Sequence, residues 1–128
     1  MSSDVNRVMD ILESIKKIDY LLAGIDKDTF LAKNSLEKQL AVSMCFAILG
    51  EAAGKLSPEL RKTNPKIPWH NMIGMRNVLI HDYVKINYED IWDTAKNDLP
   101  KLKRQMEKIL KIEQQKIQEN PPHHKMKI

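Results

Sequence analysis

The chain has 128 residues, 42% hydrophobic and 30% charged, enough for one domain with one core and too apolar for wholesale disorder. No apolar run approaches the roughly 18 residues that span a membrane, and the opening MSSDVNRVMD lacks the basic-then-apolar layout of a secretory leader, so a cytoplasmic protein without a membrane partner is expected. The net charge of +4 sits at one end: residues 1–95 carry 12 Lys/Arg against 13 Asp/Glu, whereas 96–128 carry 9 against 4, a basic stretch that suits a polyanion such as RNA but suits a solvated helix face better.

The elements, in chain order, are all helical, because no segment sustains the period-two alternation of a strand. A first helix is expected over about 4–23, where Val5, Val8, Leu12, Ile15, Ile18 and Leu22 recur three or four apart on one face and Gly24 ends it. IDKDTFLAK reads as a polar connection. A second helix is expected from Asn34, as its cap, with Glu37 at the capping-box position, to about Lys55. One apolar stripe of Leu36, Leu40, Met44 and Ile48 and another of Val42, Phe46, Leu49, Ala53 and Leu56 cover most of its circumference and mark it as the central helix. Cys45, the single cysteine, reads there as a small buried hydrophobe without a catalytic role. Gly50 leaves room for another backbone to approach closely. Glu51 is open to two accounts, a carboxylate drawn out of water and therefore paired, or one on the exposed edge.

Three prolines in SPELRKTNPKIPWH limit that segment to a connection with at most a helical turn after Ser57. Pro68 suits the first turn of a third helix, WHNMIGMRNVLIH, ending near Asp82 or Tyr83. Asn87 can cap a fourth, whose stripe of Trp92, Ala95, Leu99, Leu102, Met106 and Ile109 is regular apart from Pro100, which should kink or locally break it. A helical domain over 1–117 and a flexible tail over 118–128 follow, and His123 and His124 in that tail make only a weak metal site.

No Gly-rich phosphate loop, zinc spacing or nucleophile elbow is present, so neither cofactor nor metal is expected. The residues left to carry chemistry are in MRNVLIHDY. Asn77 and His81, four apart, face the same side, so the amide can orient the imidazole. Arg76 and Tyr83, seven apart, share the adjacent side if the helix persists that far. Arg76 and His81, five apart, lie about 140° around a straight helix, which predicts that they converge only through a distorted helix end or a dimer. Such a pair suits phosphodiester transesterification. An imidazole can exchange protons near neutral pH, while a permanently charged planar fork holds phosphate and stabilises the pentacoordinate state. On the residues alone, a helix-end role for His81, an ion pair of Arg76 with Glu51, and an ordinary half-buried aromatic at Tyr83 stay open.

Three blocks, ILGEAAGKLSPEL, IPWHNMIGMRNVLIHDY and IWDTAKNDLPKLKRQM, occur in that order, and Arg76-Asn77-x-x-x-His81-x-Tyr83 reads as Arg-x-x-x-x-His-x-Tyr with a polar residue after the arginine. Over residues 48–109 the chain resembles the HepT-like branch of the HEPN superfamily. The resemblance implies an all-α antiparallel bundle of four main helices plus short helical turns, dimerising through the motif-bearing helices. It implies the toxin of a toxin–antitoxin pair, cleaving RNA without a metal through the catalytic pair Arg76 and His81 with Asn77 in support. It further implies a cognate nucleotidyltransferase antitoxin that transfers AMP from ATP to Tyr83. The partners so implied are RNA, that antitoxin and a second copy of the chain, as a homodimer or higher even oligomer, with no DNA. A non-catalytic module that binds a nucleotide or the nucleotidyltransferase is the alternative, which loss of Arg76 or His81 would mark. A purely structural dimerising bundle is a third reading.

Overall fold

The computed structural model describes residues 3–119, in which α1 (Ser3–Leu22) turns Val5, Val8, Ile11, Ile15, Ile18 and Leu22 into the core. The stripe is the expected one, except that Ile11 is fully buried and Leu12 lies partly covered at its edge. Gly24, at φ 77°, adopts the left-handed conformation that lets the chain leave the helix.

The connection expected over IDKDTFLAK instead winds into α2 (Lys27–Leu31) and a 3-10 turn (Lys33–Ser35). Asp26 caps α2 by accepting the Thr29 N–H at 2.8 Å, and five residues are too few for a helical period to show in sequence. What α2 contributes is Phe30, fully buried, edge-on to Tyr88 and tilted against Trp92 with ring centroids 6.4 and 5.6 Å away. The 3-10 turn also overturns the expected cap. Asn34 is already wound into it, so α3 (Leu36–Lys55) begins after Ser35, which makes no side-chain cap, and no capping box forms with Glu37. Buried Gln39 ties the start of α3 to α2 by donating to the Phe30 carbonyl at 2.9 Å.

As expected, α3 is central, packing against α1 on one side and α5 (Trp69–His81) on the other. It runs antiparallel to α1: Ser57, just beyond its end, donates its backbone N–H at 2.9 Å and its hydroxyl at 2.7 Å to Asp4 at the start of α1. Against α1 also packs α7 (Leu99–Glu119), burying Leu99, Leu102, Met106 and Ile109. Cys45 is buried, and burial raises its thiol pKa, as befits an inert packing residue.

The proline-rich segment is more helical than expected. Proline is tolerated in a first turn, so Pro58 opens α4 (Pro58–Thr63), whose cap Ser57 accepts the Leu60 N–H at 3.2 Å and whose Leu60 reaches the core. Pro68 stands at the N-cap of α5 rather than inside its first turn. Asn87 caps α6 (Tyr88–Asp93) as expected, accepting the Asp90 N–H at 3.1 Å. The disturbance expected at Pro100 takes the form of a π-turn over Thr94–Asp98, in which the Leu99 N–H reaches the Thr94 carbonyl. This widening just ahead of the proline relieves the clash its ring would make with the carbonyl four residues back. α7 continues through residues 118 and 119; the remainder of the expected tail, with His123 and His124, lies outside the described residues. Among the described residues no helix is long and apolar enough to cross a membrane.

Candidate active site

α5 is mostly apolar, yet only Trp69 and Met72 in it are buried, while Val78 and Ile80 are exposed. Its position is set by Gly50: a Cβ there would overlap the Cβ of Arg76 and the carbonyl oxygen of Met72, so the absent side chain is what admits α5. The room expected at Gly50 is therefore used, and the next residue of α3, Glu51, comes to face Arg76.

Arg76 is held on two of its edges. Its Nε lies 2.8 Å from Glu51 Oε2, and its Nη1 lies 3.1 Å from Asn77 Oδ1 and 3.3 Å from His81 Nε2. Nη2 has no partner among the described residues. A guanidinium has only donors, so this contact is a hydrogen bond in the His81 tautomer that carries its proton on Nδ1 and a lone pair on Nε2.

Two expectations are corrected here. Arg76 and His81 do converge within one chain, without a second copy and within a helix that persists to His81. The angular argument treated side chains as short spokes, whereas five residues rise only about 7.5 Å and two long side chains span that distance. Asn77 supports the arginine rather than the histidine, since its amide oxygen accepts from Arg76. Of the two accounts of Glu51, each is partly right: its side chain is 43% exposed and is nonetheless paired with Arg76, which is 27% exposed.

Lys55, at 3.4 Å, engages the other oxygen of Glu51. The hydrogen bond from Lys55, followed by the charge of Arg76, holds the Glu51 carboxyl below the ordinary carboxylate range. With a folded-state value lower than the unfolded one, the stabilisation from this pair is present at neutral pH and lost as acid titrates Glu51.

The helix ends at His81, where Asp82 turns out at φ −145° and ψ 45°. Tyr83 opens a separate 3-10 turn (Tyr83–Lys85) and is 70% exposed, so it neither shares a helix face with Arg76 nor is half-buried. Beside Arg76 and Glu51 runs a shallow groove of about 260 Å³, lined also by Arg7, Met44, Ile48 and Ile80. The larger cleft, about 590 Å³, lies across α5 against Leu99 and Leu102 and includes none of the motif residues. The outer stripe of α3, Leu36, Leu40, Met44 and Ile48, is between 45% and 56% exposed, so one of its two apolar stripes is uncovered in the single chain. Among the described residues no grouping of three or more His, Cys, Asp or Glu is placed to hold a metal ion. The ion pair of Arg76 with Glu51, one of the readings left open by the residues, is formed, whereas Arg7, which carries no motif signal, was not picked out as lining the groove.

A family model described as "Ribonuclease HepT-like" matches residues 11–109. The chain is 34% identical over 102 residues to a Methanocaldococcus jannaschii protein named "Putative RNase MJ1216", covering 80% of this chain and 83% of that one. It is 35% identical over 102 residues to "Probable ribonuclease HepT" of Thermococcus cleftensis, covering 80% and 91%. To "Putative RNase TTE0752" of Caldanaerobacter subterraneus it is 34% identical over 103 residues, covering 80% and 90%. No solved structure matches.

Proposed function

From the premise that this chain belongs to the ribonuclease HepT-like family, we propose that it is a metal-independent endoribonuclease, the toxin of a toxin–antitoxin pair, cutting RNA with Arg76 and His81. The observation that carries the reading is the 3.3 Å contact between Arg76 Nη1 and His81 Nε2, which joins a permanently charged guanidinium to an imidazole. In the reaction, the ribose 2′-OH replaces Arg76 Nη1 at the single lone pair of His81 Nε2, which takes its proton, and the 2′ oxygen attacks the adjacent phosphorus. Arg76 stabilises the extra charge of the pentacoordinate phosphate, the bond to the 5′ oxygen breaks, and that oxygen takes a proton from an acid on the opposite side. The products are a 2′,3′-cyclic phosphate and a 5′-hydroxyl. The unmodified protein is expected to cut RNA in the presence of a chelator and leave these ends; a strict requirement for an added divalent metal ion would sink the mechanism.

A homodimer places two such pairs together and lets the second His81 act as the acid. The uncovered apolar residues Met44 and Ile48 on α3 and Ile80 on α5, beside Arg76, support an interface on this side. Sedimentation at micromolar concentration is expected to give a dimer, and a fully active monomer would refute the requirement.

Regulation falls to Tyr83, whose exposed ring on a short turn two residues past His81 is open to a partner enzyme. AMP joined to its hydroxyl would bring a bulky anion beside Arg76 and obstruct the phosphate. Incubation with the cognate nucleotidyltransferase and ATP is expected to add one AMP at Tyr83 and stop cleavage, while Tyr83→Phe stays folded and escapes. Mass spectrometry that finds the adduct elsewhere would overturn this account of the switch.

A further inference from the structure

The geometry points to Glu51 as the residue that orients Arg76 for phosphate, a positioning role that rests on the ribonuclease reading above. A guanidinium at the end of a flexible stem can present its donors in many directions, and it holds phosphate well only when the fork is fixed. Here the Nε edge is closed by Glu51 Oε2 at 2.8 Å, from a different helix, and Nη1 is occupied by Asn77 and His81 at 3.1 and 3.3 Å. Both hydrogens of Nη2 are left, so phosphate can approach only the outer end of the fork, next to the nitrogen of His81.

Three features of Glu51 suit this role and no other obvious one. It follows Gly50, where α5 approaches too closely to admit a side chain, so the carboxylate reaches Arg76 from a tightly packed stretch of α3. Its second oxygen is engaged by Lys55 at 3.4 Å, which offsets a negative charge that would otherwise repel the substrate beside Arg76. Its side chain is 43% exposed, and a half-exposed ion pair adds little to stability, so the contact is of more use for direction than for strength. Both of its oxygens are held by cations and its carboxyl titrates below the ordinary carboxylate range, which makes it a poor base and leaves proton transfer to His81.

The test measures cleavage of a short RNA by the full chain and its Glu51 variants, together with the NMR resonance of the Arg76 Nε–H in arginine-labelled protein. Glu51→Ala is expected to lower kcat on the order of a hundredfold, since misplacing a catalytic group by about an ångström costs that much. KM should change by no more than about threefold, because the loss falls on an interaction made in the transition state. The shape of the pH profile and the unfolding midpoint should hold. Glu51→Gln, which keeps an acceptor for Nε–H, should recover about tenfold of the loss. The Nε–H resonance, protected from exchange in the parent, should be lost in Glu51→Ala and kept in Glu51→Gln. Parent-level kcat in Glu51→Ala, an unchanged resonance in that variant, or loss of one limb of the pH profile would each overturn the assignment. If the parent does not cut RNA, the ribonuclease reading fails, and the resonance still decides whether Glu51 fixes Arg76.

Discussion

Arg76→Ala and His81→Ala are each expected to lose RNA cleavage by about a hundredfold or more, with the toxicity it causes in cells, while circular dichroism and the unfolding midpoint stay close to the parent's. The fold is indifferent because neither side chain belongs to the core: Arg76 is only partly covered, its stem passing Gly50 and its guanidinium ending in a half-exposed ion pair, and His81 is exposed. The chemistry is not indifferent. Without His81 no neighbouring nitrogen can take the 2′ proton, and without Arg76 the developing charge on phosphate has no fixed cation. Wild-type cleavage by either folded variant would end the assignment. Mixing the two variants asks a second question, because the pair converges within one protomer. A heterodimer of the two should stay inactive, because it holds one His81 where the reaction uses two, as base and as acid; recovered cleavage would mean that a single His81 suffices and works with the Arg76 of the other protomer.

Gly50→Ala is expected to destabilise the protein and weaken cleavage together, although alanine is favoured over glycine by roughly 1 kcal/mol in an ordinary helix interior. The reversal follows from what the new methyl group would meet: the Arg76 Cβ and the Met72 carbonyl oxygen, neither of them the far end of a flexible side chain. The helices must part, at a cost of about 1–3 kcal/mol for overpacking, or about 4–11 °C in the unfolding midpoint. Gly54→Ala is the internal control, since its Cβ would lie 3.7 Å from Ile73 Cγ1, an ordinary contact, and it should be neutral or stabilising. Equal losses in the two variants would show that the close approach at Gly50 is not what positions α5.

Long-range order was readable where the chain repeats itself. The stripes of α1, α3 and α7 show their period over five turns or so, and Asn87 announces its cap by side-chain chemistry. α2 was hidden because five residues hold one buried side chain, Phe30, and one point has no period. Asn34 misled because the capping pattern is local, whereas the 3-10 turn that absorbs it is set by how Gln39 and Phe30 fasten α2 to α3. At the candidate site the residue types in the Arg76–Tyr83 segment were legible, together with the family they resemble. Their arrangement was not. Glu51 lies 25 positions before Arg76, and only the antiparallel register of α3 and α5 brings the two to 2.8 Å. The reach of Arg76 to His81 depends on side-chain length, which a helical wheel leaves out.

The ion pair between α3 and α5 has a consequence for how the protein comes into being. A peptide covering Trp69–Tyr83 would contain every residue of the motif, yet its arginine would swing freely. On the ribosome, Glu51 emerges well before Arg76, and the two meet only after the intervening turn has closed and the helices have docked. A nascent or misfolded chain thus carries the motif without the aim, and a cell that makes this protein meets an oriented Arg76 only once the bundle is assembled.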